Sequence, residues 1–161
     1  MEIVQAGVED RPVIQNLAQR SWHAGYAGVL SPNQIAFMLD KMYSQEGLLE
    51  AMHEGCMFFL ALEDGNPVGF IGLKRKLPTT LRIEKIYLVP EVQGKGYGKG
   101  LLDFGMEEAK RAQLLTLELN VNRKNKAYYF YLKQGFQVVE EVDIPYYNFV
   151  MDDYVMQKTV S

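Results

Sequence analysis

Between a strand-like segment and a helix-like one lies Gln93-Gly94-Lys95-Gly96-Tyr97-Gly98-Lys99-Gly100, with four glycines at alternate positions. Each glycine carries a backbone-entropy cost that a plain connection does not need. The segment before it, Leu81 to Val89, reads as a strand closed by Pro90, and after it Leu101, Leu102, Gly105, Met106, Ala109 and Ala112 form a helical stripe. A glycine turn leading into a helix presents several backbone N–H groups, and the helix N-terminus adds partial positive charge. Lys95 and Lys99 add full charges. The strand, loop and helix thus form an anion site suited to phosphate or pyrophosphate.

Two known phosphate loops fail here. A P-loop requires Ser or Thr after its Gly-Lys, whereas Gly98-Lys99 is followed by Gly100. The dinucleotide fingerprint G-x-G-x-x-G fails from Gly94, Gly96 and Gly98, whose sixth positions are Lys99, Leu101 and Asp103. Composition narrows the class further. With 161 residues, residues 1–161 are expected to form one domain, and 48% hydrophobic with 23% charged residues is the mixture of a globular chain. Seventeen Lys and Arg against 20 Asp and Glu leave a net charge of −3, so nucleic acid is not an expected partner. Cys56 is the one cysteine, which excludes an intramolecular disulfide, and no Cys/His spacing suits a metal. The N-terminus lacks a signal-peptide pattern, and the longest apolar run, Cys56 to Leu62, is too short to cross a membrane. No membrane partner and a reducing, cytoplasmic location are expected.

The N-terminal fifty residues read as one strand and two helices, the helices starting near Asp10-Arg11-Pro12 and Ser31-Pro32. Cys56 to Leu62 and Val68 to Leu73 flank the turn signal Asp64-Gly65-Asn66 and predict a hairpin. Leu115, Leu117, Leu119 and Val121 alternate with polar residues as in a strand. A short helix over 126–134 ends at Gly135, and strands Phe136–Val142 and Phe149–Met156 are expected around a turn at Pro145.

Gln93, Gly96 and Gly98 fill the pattern Q/R-x-x-G-x-G/A, directly after Ile86-Tyr87-Leu88-Val89-Pro90-Glu91. Downstream, Asn125-x-Ala127-x-x-x-Tyr131-x-x-x-Gly135-Phe136 supplies a second match. These motifs, together with the order of elements, resemble the GNAT superfamily of N-acetyltransferases, and the likeness extends over most of the chain. The resemblance implies an α/β fold of the α+β type: a mixed, mostly antiparallel sheet of about 6–7 strands with about four helices. It implies acetyl-CoA as co-substrate and no metal. The backbone of Ile86, Tyr87 and Leu88 would pair with the pantetheine arm, with the Leu88 N–H polarising the thioester oxygen. Gln93, Gly94, Lys95, Gly96, Tyr97, Gly98 and Lys99 would hold the pyrophosphate, and Asn125, or Asn122 in its place, the CoA arm.

By the same resemblance Tyr131 is the general acid, because a phenol stays protonated at neutral pH and can donate to the departing sulfur. Glu84 is the candidate base, although a solvated or ion-paired carboxylate is at least an equal reading. A parity change between Leu81/Ile83 and Ile86/Leu88 hints at a β-bulge near 84–86. From Gly94 to Lys133 the net charge is +4, with Arg123, Lys124 and Lys126 as candidates for the 3′-phosphate. The remaining chain sums to −7, which favours a cationic small-molecule amine such as a polyamine. Trp22, His23, Tyr26, Tyr43, Glu46 and Tyr146 are candidates for its pocket, and Trp22 to Tyr26 with Met42 to Ser44 faintly resembles the bacterial spermidine/spermine acetyltransferase branch. The alternatives are a protein N-terminal or lysine acetyltransferase, or a non-catalytic acyl-CoA-binding module. The apolar segment Tyr147 to Met156 makes a homodimer a further expectation.

Overall fold

A computed structural model of the chain describes residues 1–76 and 78–161. The strands are β1 (Glu2–Ala6), β2 (Met57–Glu63), β3 (Asn66–Lys76), β4 (Thr80–Leu88), β5 (Thr116–Asn122), β6 (Gln137–Tyr146) and β7 (Phe149–Thr159). They form one seven-stranded sheet in the order β1-β2-β3-β4-β5-β7-β6. Every pair is antiparallel except β4 with β5. The helices are α1 (Arg11–Gly25), α2 (Pro32–Tyr43), α3 (Gln45–His53), α4 (Tyr97–Arg111) and α5 (Ala127–Lys133).

Local chemistry explains most of the boundaries. Asp64 and Gly65 both take positive φ, 51° and 80°, the twist that a two-residue β2–β3 hairpin needs. Ser31 Oγ accepts from the Gln34 N–H and caps α2. Ser44 Oγ accepts from the Gly47 N–H and starts α3, a helix that the two-helix expectation for the N-terminal part does not include. The apolar residues on both sides of Ser44 merge into one periodicity, so the break between α2 and α3 depends on this cap.

The sheet is covered on both faces. On one, Phe70 of β3 and Tyr87 of β4 lie 5.7 Å apart between ring centroids and meet Trp22 of α1 and Tyr43 of α2. On the other, Ile71 and Leu117 are buried beneath Gly105 of α4, their methyl groups at van der Waals distance from where its Cβ would stand. At the C-terminus, Pro145 does not turn the chain. It lies inside β6 opposite Val150, and the turn falls at Tyr147-Asn148. Its missing N–H is tolerated because β6 is an edge strand. Nor is β7 free to pair with a second subunit, since it runs between β5 and β6.

Candidate active site

The parallel pairing of β4 and β5 runs only from Thr80↔Thr116 to Ile83↔Leu119. Beyond that point β4 continues along β3 as far as Leu88↔Gly69, and β5 continues along β7 to Asn122↔Asp153. The two strands part, leaving the β5-facing edge of β4 without a strand partner. A cleft of about 840 Å³ lies at the parting, walled by both strands, the glycine loop, α5 and the end of α1.

The parting coincides with an irregularity in β4. Leu73 registers with Ile83 and Gly72 with Lys85, so Glu84 is the extra residue of a β-bulge, where the parity change suggested one. The Glu84 side chain borders the cleft, 32% exposed, with its carboxylate 3.6 Å from Arg82 Nε. Arg82 also donates to Glu118 Oε2 at 2.7 Å, so Glu84 is the weaker of its two partners.

At the far end of β4 the chain passes through one 3₁₀ turn into the glycine loop. Gly94 and Gly96 have φ of +83° and +82°, a left-handed conformation that glycine adopts without steric cost. The first backbone bond of α4 is Gly100 N–H to Gly96 O, so Tyr97, Gly98 and Lys99 keep N–H groups without an intrahelical acceptor. These donors, at the head of a 15-residue helix and on the cleft wall, fit a pyrophosphate group. Gln93, Gly94, Gly96, Tyr97, Gly98 and Lys99 all line the cleft. Lys95 does not: its Nζ lies 2.9 Å from Glu63 Oε2, which also accepts from the Tyr97 hydroxyl at 2.6 Å. The Tyr97 bond, followed by that from Lys95, holds the Glu63 carboxyl below its ordinary range. Glu63, at the end of β2, is the residue that sequence reading missed, since nothing local to the loop points to it.

Tyr131 of α5 is buried and lines the cleft. Burial, and then the neighbouring Tyr26, push its hydroxyl above the ordinary phenol value. Asn125 lines the cleft as well, its Oδ1 accepting from the Ala127 N–H to start α5. Asn122 is instead buried in β5, with Nδ2 donating to Asp152. Of the basic candidates, Lys126 reaches the cleft, whereas Arg123 is tied to Asp143 and to the Val142 carbonyl.

The acceptor-pocket candidates separate. Tyr26 lines the cleft, its hydroxyl 3.4 Å from that of Tyr87. Trp22 and Tyr43 are buried behind it. His23 opens into another groove between α1 and α2, Glu46 is exposed, and Tyr146 packs against Phe37 of α2. No group of metal-ligating side chains occurs among the described residues. Likewise, no helix among them is long and apolar enough to cross a membrane.

A sheet that parts between two parallel strands, with a glycine loop and helix N-terminus at one end of the gap, gives a cleft that offers a free strand edge and backbone donors for an anionic group. The chain belongs to the acetyltransferase (GNAT) domain family, whose profile matches residues 26–145, and it is an acetyl-CoA-dependent N-acetyltransferase. It is 31% identical over 98% of its length to a spermidine N(1)-acetyltransferase of Thermoplasma acidophilum, covering 96% of that protein. Among solved structures it resembles the PaiA N-acetyltransferase of Thermoplasma acidophilum in complex with coenzyme A, with a TM-score of 0.84, 31% identity and 98% of each chain covered. A GCN5-related N-acetyltransferase from Rhodopseudomonas palustris shares the fold at a TM-score of 0.83 and 21% identity, over 98% of this chain and 94% of that one.

Proposed function

We propose that the chain transfers the acetyl group of acetyl-CoA to a primary amine of a small cationic molecule, a polyamine first, by direct attack with Tyr131 as general acid. The observation that carries this reading is the place of Tyr131: a buried phenol on the wall of the cleft at the strand parting. Its raised pKa keeps it protonated at neutral pH, the state that a proton donor to the leaving sulfur requires. The unpaired edge of β4 at Ile86 to Leu88 holds the pantetheine arm as an added strand would, and the Leu88 N–H polarises the thioester oxygen. The free N–H groups of the glycine loop and α4 hold the pyrophosphate. Glu84, set out of register by the bulge, takes the proton of the incoming amine directly or through water. Support for a polyamine comes from the spermidine acetyltransferase relative and from the net −7 outside residues 94–133.

Thiol release with spermidine as acceptor tests the reading. In Tyr131→Phe, kcat is expected to fall by about 10² or more while acetyl-CoA binds as in the parent. Unchanged turnover in that variant overturns the acid assignment. Silence with spermidine and other polyamines, alongside turnover of another amine, overturns the acceptor alone.

A further inference from the structure

Lys85 is a cleft residue without a place in the reading above. It follows the bulge residue Glu84 and precedes the edge proposed to hold the pantetheine arm. Opposite it on β3 is Gly72, where an added Cβ would come 3.6 Å from Lys85 Cβ and 3.0 Å from Cys56 Sγ. The glycine therefore leaves room for the lysine stem to lie across the sheet. The Nζ stands 4.8 Å over the ring of Tyr43, itself buried. Arg82, three residues earlier, has the carboxylates of Glu84 and Glu118 as partners, whereas Lys85 is in ion-pair contact with no carboxylate among the described residues. The Tyr43 ring face is the partner that its charge finds.

Burial lowers the Lys85 pKa from the ordinary lysine value, opposed by the Cys56 thiol and the Glu84 carboxylate. Such an amine has a larger neutral, nucleophilic population than a surface lysine. An acetyltransferase cleft thus carries in its own wall a group of the chemical class that it modifies.

We propose that Lys85 is an internal acetyl acceptor, taking the acetyl group onto Nζ when acetyl-CoA is bound and no other amine is present. The Lys85 side chain first gives up its ammonium proton and swings towards the parting of β4 and β5. The Nζ–carbonyl carbon bond forms and the carbon–sulfur bond breaks. One proton goes to the sulfur of coenzyme A, and the amide nitrogen keeps a single hydrogen. The ammonium and the thioester become an amide, a thiol and one released proton. The cleft wall loses one positive charge. This inference rests on the assignment of the cleft to the acetyl end of the co-substrate.

The test is incubation of the purified full chain with acetyl-CoA, with and without spermidine, followed by intact mass and peptide mapping. Calorimetric titration with acetyl-CoA runs on the same preparation. One acetyl group per chain is expected at Lys85, added about tenfold or more faster than at the exposed Lys41 and Lys133, which lie outside the cleft. The rate constant is expected to be independent of protein concentration and to fall when spermidine is present. Lys85→Arg, which keeps the charge, removes the adduct, and mapping of the parent decides the matter even if that variant folds poorly. Saturable acetyl-CoA binding with Lys85 unmodified, or modified no faster than Lys41 and Lys133, overturns this proposal and leaves the proposed function standing. Absence of acetyl-CoA binding overturns both. Acetylation of Lys85 without turnover of spermidine upholds the internal acceptor and removes spermidine as the external one.

Discussion

The two halves of β4 differ in how their backbone and charges are satisfied. From Thr80 to Ile83 the strand has neighbours on both sides, β3 and β5. Over this half lies a closed polar network, in which buried Glu118 accepts from Arg82, Lys76 and Gln157. From Glu84 to Leu88 one neighbour is gone, a bulge displaces Glu84, and Lys85 has an aromatic ring in place of a carboxylate. Within a few residues, one strand changes from a satisfied element of the sheet to an open edge on the cleft. The first half is held by strands on both sides and by this network, whereas the second is held by β3 and by the packing of Tyr87 on Trp22, Tyr43 and Phe70.

Substitutions in the two halves should therefore act on different observables. Glu118→Ala leaves Arg82 and Lys76 without their shared partner and is expected to cost about 3 kcal/mol in urea unfolding. For the Glu118 carboxyl, burial acts upward, but the bonds from Gln157, Arg82 and Lys76 outweigh it and set the pKa below the ordinary value. Its stabilisation is thus present above the carboxylate range and is lost as the pH falls through the lowered value. The difference between parent and variant should shrink as the pH falls below the ordinary glutamate range. A constant difference from pH 7 to 3 would break the assignment of stability to this network.

Gly96→Val should act on the open half. A β-branched side chain at φ +82° strains the loop by about 1–2 kcal/mol, and acetyl-CoA affinity is expected to fall about tenfold or more by calorimetry. Equal affinity would remove the loop from the phosphate site.

The smallest expected effect has the opposite sign. Asp153 is a buried carboxylate whose pKa burial raises, against the donation from Asn120, with Asp152 raising it further. A folded-state pKa above the unfolded one means that stability is lost as the pH rises through the carboxylate range. Asp153→Asn should equal the parent in acid and exceed it at pH 7 by under about 1 kcal/mol. A less stable Asn variant at pH 7 would give Asp153 the same structural role as Glu118.

Much of this organisation was legible from local chemistry. The alternating glycines mark the turn into α4, because left-handed backbone and free N–H groups are properties of a few adjacent residues. Likewise, the parity of Leu81, Ile83, Ile86 and Leu88 reports a bulge, because period-two alternation fails where a residue is inserted. Less legible were α3, whose break from α2 depends on one serine, and the turn at Tyr147-Asn148, which lies two residues beyond the proline. Pairwise partnerships were hidden altogether. Glu63 meets Lys95 and Tyr97 from 32 or more residues away, and the sequence around either partner is silent about the other.

The amino-acid sequence by itself determined the family, most of the elements and the glycine loop ahead of α4, because each rests on periodicity or on motifs within a short span. Tertiary structure decided where the parallel pairing of β4 with β5 stops, that Lys95 turns to Glu63 instead of the cleft, and that Lys85 lies over Tyr43 with no ion-paired carboxylate among the described residues. These depend on distances between segments far apart in the chain, which are set when the sheet and the helices on its two faces pack together.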